Sequence, residues 1–405
     1  MQKMRKQDIT PTPPQVMSFL LQFKWLLQFK WIILFYLLII LFLYVKRKNV
    51  QIQAKFIVLY RTLLGIRFIE KFSEKYREWV KLFGFIGIGV GYIGMVLIAF
   101  LLISNLIQVF LKPEQPSGVA LVLPGVEIPG FGILPFWHWL IAIFVIAIVH
   151  EFAHGIVAHA YGIKVQFTGL VLLGPIIGAF VEPDEKKLTK SDDVIQYSVY
   201  AAGAWSNILL AMVAALFLFF VFSPAQQSLV DPAGFTFSGY YDGDFPAQAS
   251  GLLPGNVIHR VNNVSVTSYT DFAREFQHVR PGERVSIAAG DDSFALTAAE
   301  HPDQKGQAFI GIVDIQNKFE LKKESFGFVN SFLLTITAFL RWLFLLSFGI
   351  GLFNLLPLPI VDGGRMMQTF LKRNYGEEKG NRFYGKIGFF FLAVLVLVLV
   401  LPLFF

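Results

Sequence analysis

The chain has 405 residues, of which 55% are hydrophobic and 16% charged, with no cysteine and a formal net charge of +7. A mean hydropathy of +0.58 belongs to polytopic membrane proteins and excludes an ordinary soluble domain. The basic residues lie between apolar segments and not on one polar face, so they are orientation signals and no nucleic acid is a partner; the missing cysteine excludes disulfides, thiolate metal sites and a cysteine nucleophile.

A crossing takes about 20 apolar residues. Six segments qualify: roughly 25–45, roughly 82–111, roughly 137–161, roughly 197–222, one ending at Leu356, and roughly 386–405. The first apolar run is too long for a cleavable signal, and Lys46, Arg47 and Lys48 follow it. The N-terminal part therefore reads as a tail, 1–24, and a block, 25–111, of two membrane helices joined by a basic connection. That connection, 46–81, holds ten Lys and Arg against Glu70, Glu74 and Glu78, which places it in the cytoplasm. Counting onward puts 112–136 outside, 162–196 inside, 224–325 outside and 357–385 inside; Lys3, Arg5 and Lys6 run against the scheme. The second span carries Gly84, Gly87, Gly91 and Gly94, which suit either close helix packing or a glycine-rich span with no special partner.

Residues 135–222 hold the third and fourth spans. Between them, 165–181 reads as two apolar strands around Gly174-Pro175, a hairpin dipping into the membrane; a short seventh membrane segment is the other reading. Glu182, Asp184 and Glu185 read as a solvated loop. Residues 224–318 are acidic and punctuated by Gly and Pro, with strands near 257–261 and 284–287 and a helix at 268–279 that Ser268 caps. They form an inserted β-rich domain. In 326–405, Arg341 interrupts the apolar run. The preferred reading is an interfacial helix to about residue 340 followed by a membrane helix from Trp342; the other is one long tilted span. The fold class is an α-helical polytopic membrane protein, with about six transmembrane helices and one inserted β-rich domain.

The third span contains His150-Glu151-Phe152-Ala153-His154. Histidines four apart on a helix share a face and can share one metal ion, and the glutamate beside them is placed as a general base. Ionisable groups at membrane depth are costly unless a function retains them. The alternative is a pair of helix-packing histidines. A tetrahedral zinc site with an open position needs a third ligand. Ala160 stands where an extended motif would have its third histidine, and His159 is turned off the ligand face, at the membrane end of the helix. Asp362, in Asn354-Leu355-Leu356-Pro357-Leu358-Pro359-Ile360-Val361-Asp362-Gly363-Gly364-Arg365, is the better candidate: the prolines break the fifth helix, which would end in a carboxylate, and the glycines allow close approach. Taken alone, that stretch reads first as an ordinary helix stop followed by a loop Asp. Both motifs come 12 or 13 residues after a tryptophan, Trp137 or Trp342, at matching depth in the inner half of the bilayer.

These two motifs, with Gly203-Ala204-Trp205-Ser206-Asn207, resemble the site-2 protease family of intramembrane zinc metalloproteases, over roughly 135–222 and 340–370. Ala204 stands where many members have proline. The run 178–186 and the two extra N-terminal spans look most like archaeal members. The insert resembles a PDZ domain through Ala247–Val266 and Pro281-Gly282. The resemblance implies one zinc (Zn2+) per chain on His150, His154 and Asp362, with Glu151 as the catalytic base. For Asn354 and Asn207 two roles stay open, contact with substrate or transition state and helix-packing amides. It implies a multi-pass protein of the cell membrane that cuts transmembrane proteins, intact or already cut once by another protease, toward the cytoplasmic half of the lipid bilayer. The hairpin edge would hold the substrate extended, and the extracytoplasmic PDZ-like domain would meet a peptide or substrate ectodomain. Three other readings compete. A scaffold with a structural zinc does not need Glu151. A transporter should show internal repeats, and none is seen. A prenyl-protein-processing zinc protease would lack the Pro-x-Pro-x-x-Asp-Gly-Gly arrangement.

Overall fold

The computed structural model describes residues 30–47, 50–53, 57–112, 118, 122–128, 131–173, 176–302 and 304–403. The predicted tail 1–24, the start of the first predicted span and the Gly174-Pro175 turn lie outside the described residues. The chain divides into two compact units, 1–212 with 342–405, and 213–341.

In the first unit, helix α1 (Lys30–Val45) is apolar and buries none of its residues. The basic connection that follows is not a plain loop. It folds into strands β1 (Val50–Gln53) and β2 (Ile57–Thr62) and the amphipathic helix α2 (Ile66–Lys75). Helix α3 (Arg77–Leu111) begins earlier than its apolar run, because Glu78 and Lys81 extend it into the polar region. Its glycines do pack closely: a Cβ on Gly84 would lie 3.0 Å from Val157, and one on Gly91 2.8 Å from Met366. Helix α4 (Phe136–Ala160) starts after Pro135, whose lacking N–H costs nothing there. It ends in a Schellman turn. Gly162, at φ +78°, donates to His159 O (2.8 Å), and Ile163 donates to Ala158 O (3.0 Å). The chain then turns into β3 (Val165–Leu173) and β4 (Ile176–Pro183), the expected hairpin. The sheet is larger than expected, with order β1-β2-β3-β4 and every pair antiparallel. Among the described residues β4 has no further strand partner and is one edge of the sheet. Helix α5 (Asp193–Phe217) follows.

The second unit, residues 213–341, is the β-rich insert. A π-helical turn (Leu218–Phe222) and a short helix (Ser223–Ser228) lead into β5 (Val230–Thr236). Then come β6 (Ile258–Val261), α6 (Tyr269–Phe276), β7 (Arg284–Ala289), β8 (Asp292–Thr297) and β9 (Gln316–Leu321). The sheet order is β8-β7-β6-β5-β9, with a short strand, Val264–Ser265, paired to β6. Asn262 and Asn263 sit at φ +46° and +68° in that tight hairpin, where the strand twist demands positive φ. The core gathers Phe235, Phe237, Leu252, Ile258 and Ile287. Phe272 of α6 stacks on Phe276 and packs on Phe235, each at 5.0 Å.

Helix α7 (Gly327–Phe353), whose residues are divided between the two units, runs unbroken through Arg341. The expected break at 340 does not occur. Arginine is a good helix former, no Pro stands near it, and one charge does not interrupt the backbone ladder. Helices α8 (Asp362–Tyr375) and α9 (Glu377–Val400) close the chain. Most of the expected 357–385 connection is thus helical, and the last helix starts before 386. Among the described residues five helices are long and apolar enough to cross a membrane, by length and composition, where six spans were expected. α1 has 16 described residues and falls short of that length.

The cap of α6 gives a test. Ser268 Oγ accepts from Asp271 N (3.2 Å), and Asp271 accepts from Thr267 Oγ1 (2.7 Å) and Ser268 Oγ (2.9 Å). Ser268→Ala should cost about 1 kcal/mol of local stability. The bonds from Thr267 and Ser268 hold the Asp271 carboxyl below its ordinary value. Its contribution is therefore present above the unfolded pKa and lost as pH falls through the lower folded value. Hydrogen exchange at the α6 amides should quicken in Asp271→Asn at neutral pH, and the difference from the unchanged chain should vanish in acid.

Candidate metal centre

His150 and His154 lie one turn apart on α4, and Asp362 is the first residue of α8. The carboxylate thus opens a new helix instead of ending the broken one. α7 stops at Phe353 and residues 354–361 cross back in irregular backbone. Pro357 and Pro359 carry no N–H, so this stretch has fewer donors to satisfy, and Gly363 N–H donates to Asn354 O at 2.7 Å. Gly363 and Gly364 press against that segment so closely that a Cβ on Gly363 would stand 2.6 Å from Leu356 O, and one on Gly364 2.6 Å from the Leu358 carbonyl carbon. At the start of α8 the Asp362 carboxylate also sits at the positive end of a helix dipole.

His150 Nε2, His154 Nε2 and Asp362 Oδ2 form a nearly equilateral triangle. The sides are 3.2 Å between the imidazoles, 3.1 Å from His150 to Asp362 and 3.3 Å from His154 to Asp362. The tautomers follow from the other ring nitrogens. His154 Nδ1 is 2.7 Å from Val199 O, which can only accept, so Nδ1 carries the proton. His150 Nδ1 is 3.0 Å from the Asn207 side-chain amide, whose Oδ1 otherwise has no partner. With that amide oxygen turned toward it, His150 Nδ1 also donates, and both needs are met. Each Nε2 then points an unshared pair at a carboxylate oxygen that makes no hydrogen bond of its own. Three such atoms converge only around a cation. A tetrahedral ion with bonds of about 2.0–2.1 Å separates its ligands by about 3.3 Å, the spacing seen here. The donor set, two imidazoles and one carboxylate, suits zinc with a fourth position left open.

The fourth span provides the back of the site. A Cβ on Gly203 would stand 2.6 Å from His150 Nε2 and overlap His154 as well, so only glycine fits there. Asn207 is fully buried, and Ser347 Oγ donates to its carbonyl at 2.8 Å. Its amide lies behind His150, outside the cleft. Among the described residues Asn207 does not line the cleft, and its amide meets His150 Nδ1. Asn354 does line the cleft, a cavity of about 470 Å³ that also holds Glu151, Val181 and Arg365.

Glu151 Oε2 accepts from Val181 N–H of β4 at 3.1 Å. Glu185 is exposed and Glu182 half-buried, neither belongs to the ligand triangle, and both are ion-paired. Glu182 receives both arms of Arg61 of β2 (3.0 and 3.1 Å), and Glu185 pairs with Arg365 of α8 (2.9 Å). Asp184 caps a short helical turn by accepting from Lys187 N at 3.1 Å. Arg365 also lies over the Tyr200 ring, 5.6 Å from its centre. Sequence reasoning assigned no part to Gly203, Arg61 or Arg365. Gly203 and Arg365 stand inside motifs that were legible, but Arg61 carried no local signal. His159 lies at the end of α4, with Nδ1 bonded to Ser73 Oγ, away from the triangle.

The family model described as Peptidase family M50 matches residues 138–395, and the chain belongs to that family of membrane metallopeptidases. It is similar to an uncharacterized protein of Methanocaldococcus jannaschii, 27% identical over 348 residues and covering 84% of each chain. It is also similar to the zinc metalloprotease RasP of Shouchella clausii, 25% identical over 198 residues, 38% of this chain and 47% of that protein. With its long apolar helices, the chain is a multi-pass membrane protein.

Metal analysis tests the centre. Gly203→Ala should reduce bound zinc from about one per chain to a small fraction, because its Cβ invades the ligand triangle. Asn207→Ala removes only the orienting bond and should weaken zinc about 10- to 100-fold in a chelator competition.

Proposed function

We propose that this protein is an intramembrane zinc protease that hydrolyses peptide bonds within or near the transmembrane segments of membrane-anchored proteins. One observation carries the reading: the ligand triangle and a carboxylate base share a cleft whose wall is a free strand edge. When bound, zinc would polarise the scissile carbonyl and ease loss of a proton from water. Glu151 takes that proton and returns it to the leaving amine. The Val181 N–H fixes one of its oxygens and leaves the other for the transfer. Asn354 lines the cleft where it can meet substrate.

The edge strand also sets a register. Strand groups alternate in direction with a period of two, and the pairing of β3 with β4 is regular from 176 to 182. Val181 N–H points away from β3, to Glu151, so Ile177 and Ala179 present their groups on the same side. A substrate unwound from its helix would add to that edge as a strand. Its ladder would stop at Val181, where the next peptide bond lies beside the base.

The insert supports a PDZ-like reading. A groove of about 370 Å³ runs between α6 and residues 308–312, lined by Phe272, Phe276, Phe309 and Ile310, the form taken by sites that bind a peptide by strand addition. We assign it to a peptide or to the ectodomain of a substrate, intact or already cut once. The basic 46–81 connection orients the chain with the insert extracytoplasmic and the metal toward the cytoplasmic half of the bilayer.

The test uses the purified full chain reconstituted with a panel of single-span membrane proteins. Glu151→Ala should keep its zinc and its fold and lose cleavage by at least about 100-fold. Undiminished cleavage in that variant refutes the reading. A zinc-loaded, unchanged chain that cuts no member of a broad panel favours the scaffold reading.

A further inference from the structure

Two recesses lie against the side of α4 turned away from the histidines, and the chemistry above uses neither. The upper one, about 670 Å³, is apolar, with walls from Phe68, Phe72, Trp79, Phe152 and Ile156. The lower one, about 250 Å³, is polar, with Ser73, Glu74, Arg77, His159 and Lys164 around it. They adjoin. Phe72 and Ser73 are neighbours on α2, Tyr76 and Arg77 are neighbours at the α2–α3 junction, and Ile156 and Ala160 are one turn apart on α4.

The charges of the lower recess are arranged for an anion. Arg77 Nε donates to Ala160 O at 3.0 Å, which holds the guanidinium in place. Its two terminal nitrogens, and Lys164 Nζ, have no partner among the described residues. Glu74 offsets one of these two positive charges, and His159 adds a ring nitrogen beyond the one bonded to Ser73. Above it, Trp79, Phe152 and Ile156 are on helices long enough to cross the bilayer, where acyl chains and not water fill an open groove, and Phe68 and Phe72 face them from the short amphipathic α2. A second helix would cover the aromatic walls and leave the cations below unanswered. One molecule answers both.

We propose that these recesses form one site for a single anionic phospholipid, with its phosphate at Arg77 and Lys164 and an acyl chain between α2, α3 and α4. Because Phe152 follows Glu151 directly, the bound chain packs against the back of the helix that carries the metal ligands.

The full chain is reconstituted in vesicles of equal phosphatidylglycerol and phosphatidylcholine, extracted in mild detergent and weighed intact by native mass spectrometry. One phosphatidylglycerol should stay bound per chain, in preference to phosphatidylcholine. Arg77→Glu with Lys164→Glu should lower that retention at least about tenfold, and Arg77→Lys with Lys164→Arg should keep it. Equal retention of the two phospholipids, or full retention by the charge-reversed chain, overturns the proposal. A photoactivatable phosphatidylglycerol gives a second measurement on the unchanged chain, needing no variant to fold. Labelling concentrated in 68–83 and 148–157 supports the site, and labelling spread evenly over the membrane helices overturns it.

Discussion

Three electron-rich atoms, two imidazole nitrogens and a carboxylate oxygen, meet within about 3 Å of one another in a part of the molecule with little water, and without a cation they repel. Much of the first unit is built around that demand. The turn spacing of α4 supplies two of the atoms. The Pro-rich break after α7 brings in the third at the head of α8. Gly203 leaves α5 no side chain where the imidazoles must lie, and Val199 and Asn207 on the same helix fix both ring tautomers. The glycine stripe of α3 then lets that helix close against α4, α5 and α8, and this packing holds the ligand-bearing elements together.

The cleft is bounded by the same economy of elements. A single segment, 181–185, touches the base, β2 and α8 in turn, through the Val181 amide and the Glu182 and Glu185 ion pairs. The strand proposed to receive the substrate is therefore the one that aligns Glu151. On that proposal, binding and chemistry would share one backbone hydrogen bond, and a substrate seated along β4 would arrive where Glu151 is already oriented. The Arg61 pair ties this strand, across β3, to the N-terminal hairpin.

Much of this was legible in the sequence. The histidine pair declares itself by a local rule of helix geometry, whereas the prolines before Asp362 fit an ordinary helix stop until the histidine motif, at matching depth, calls for a third ligand. The strands of the hairpin and the helix cap at Ser268 follow from short-range patterns. What was not legible depends on distance. Arg61 and Glu182 are 121 residues apart and meet only because β2 joins β3, a pairing that no window of sequence reveals. Arg341 misled because hydropathy registers a charge as a boundary, whereas a helix ladder is indifferent to one arginine. Asn207 stood in a recognisable motif, yet its side of α5 could not be known until His150 was seen against it.

Zinc-edge X-ray absorption on the purified, zinc-loaded protein addresses the central claim most directly. The account predicts two imidazole nitrogens and one carboxylate oxygen at about 2.0–2.2 Å with one further light ligand, and loss of the carboxylate contribution in Asp362→Ala. A spectrum with more than two imidazoles, or one that Asp362→Ala leaves unchanged, would contradict it.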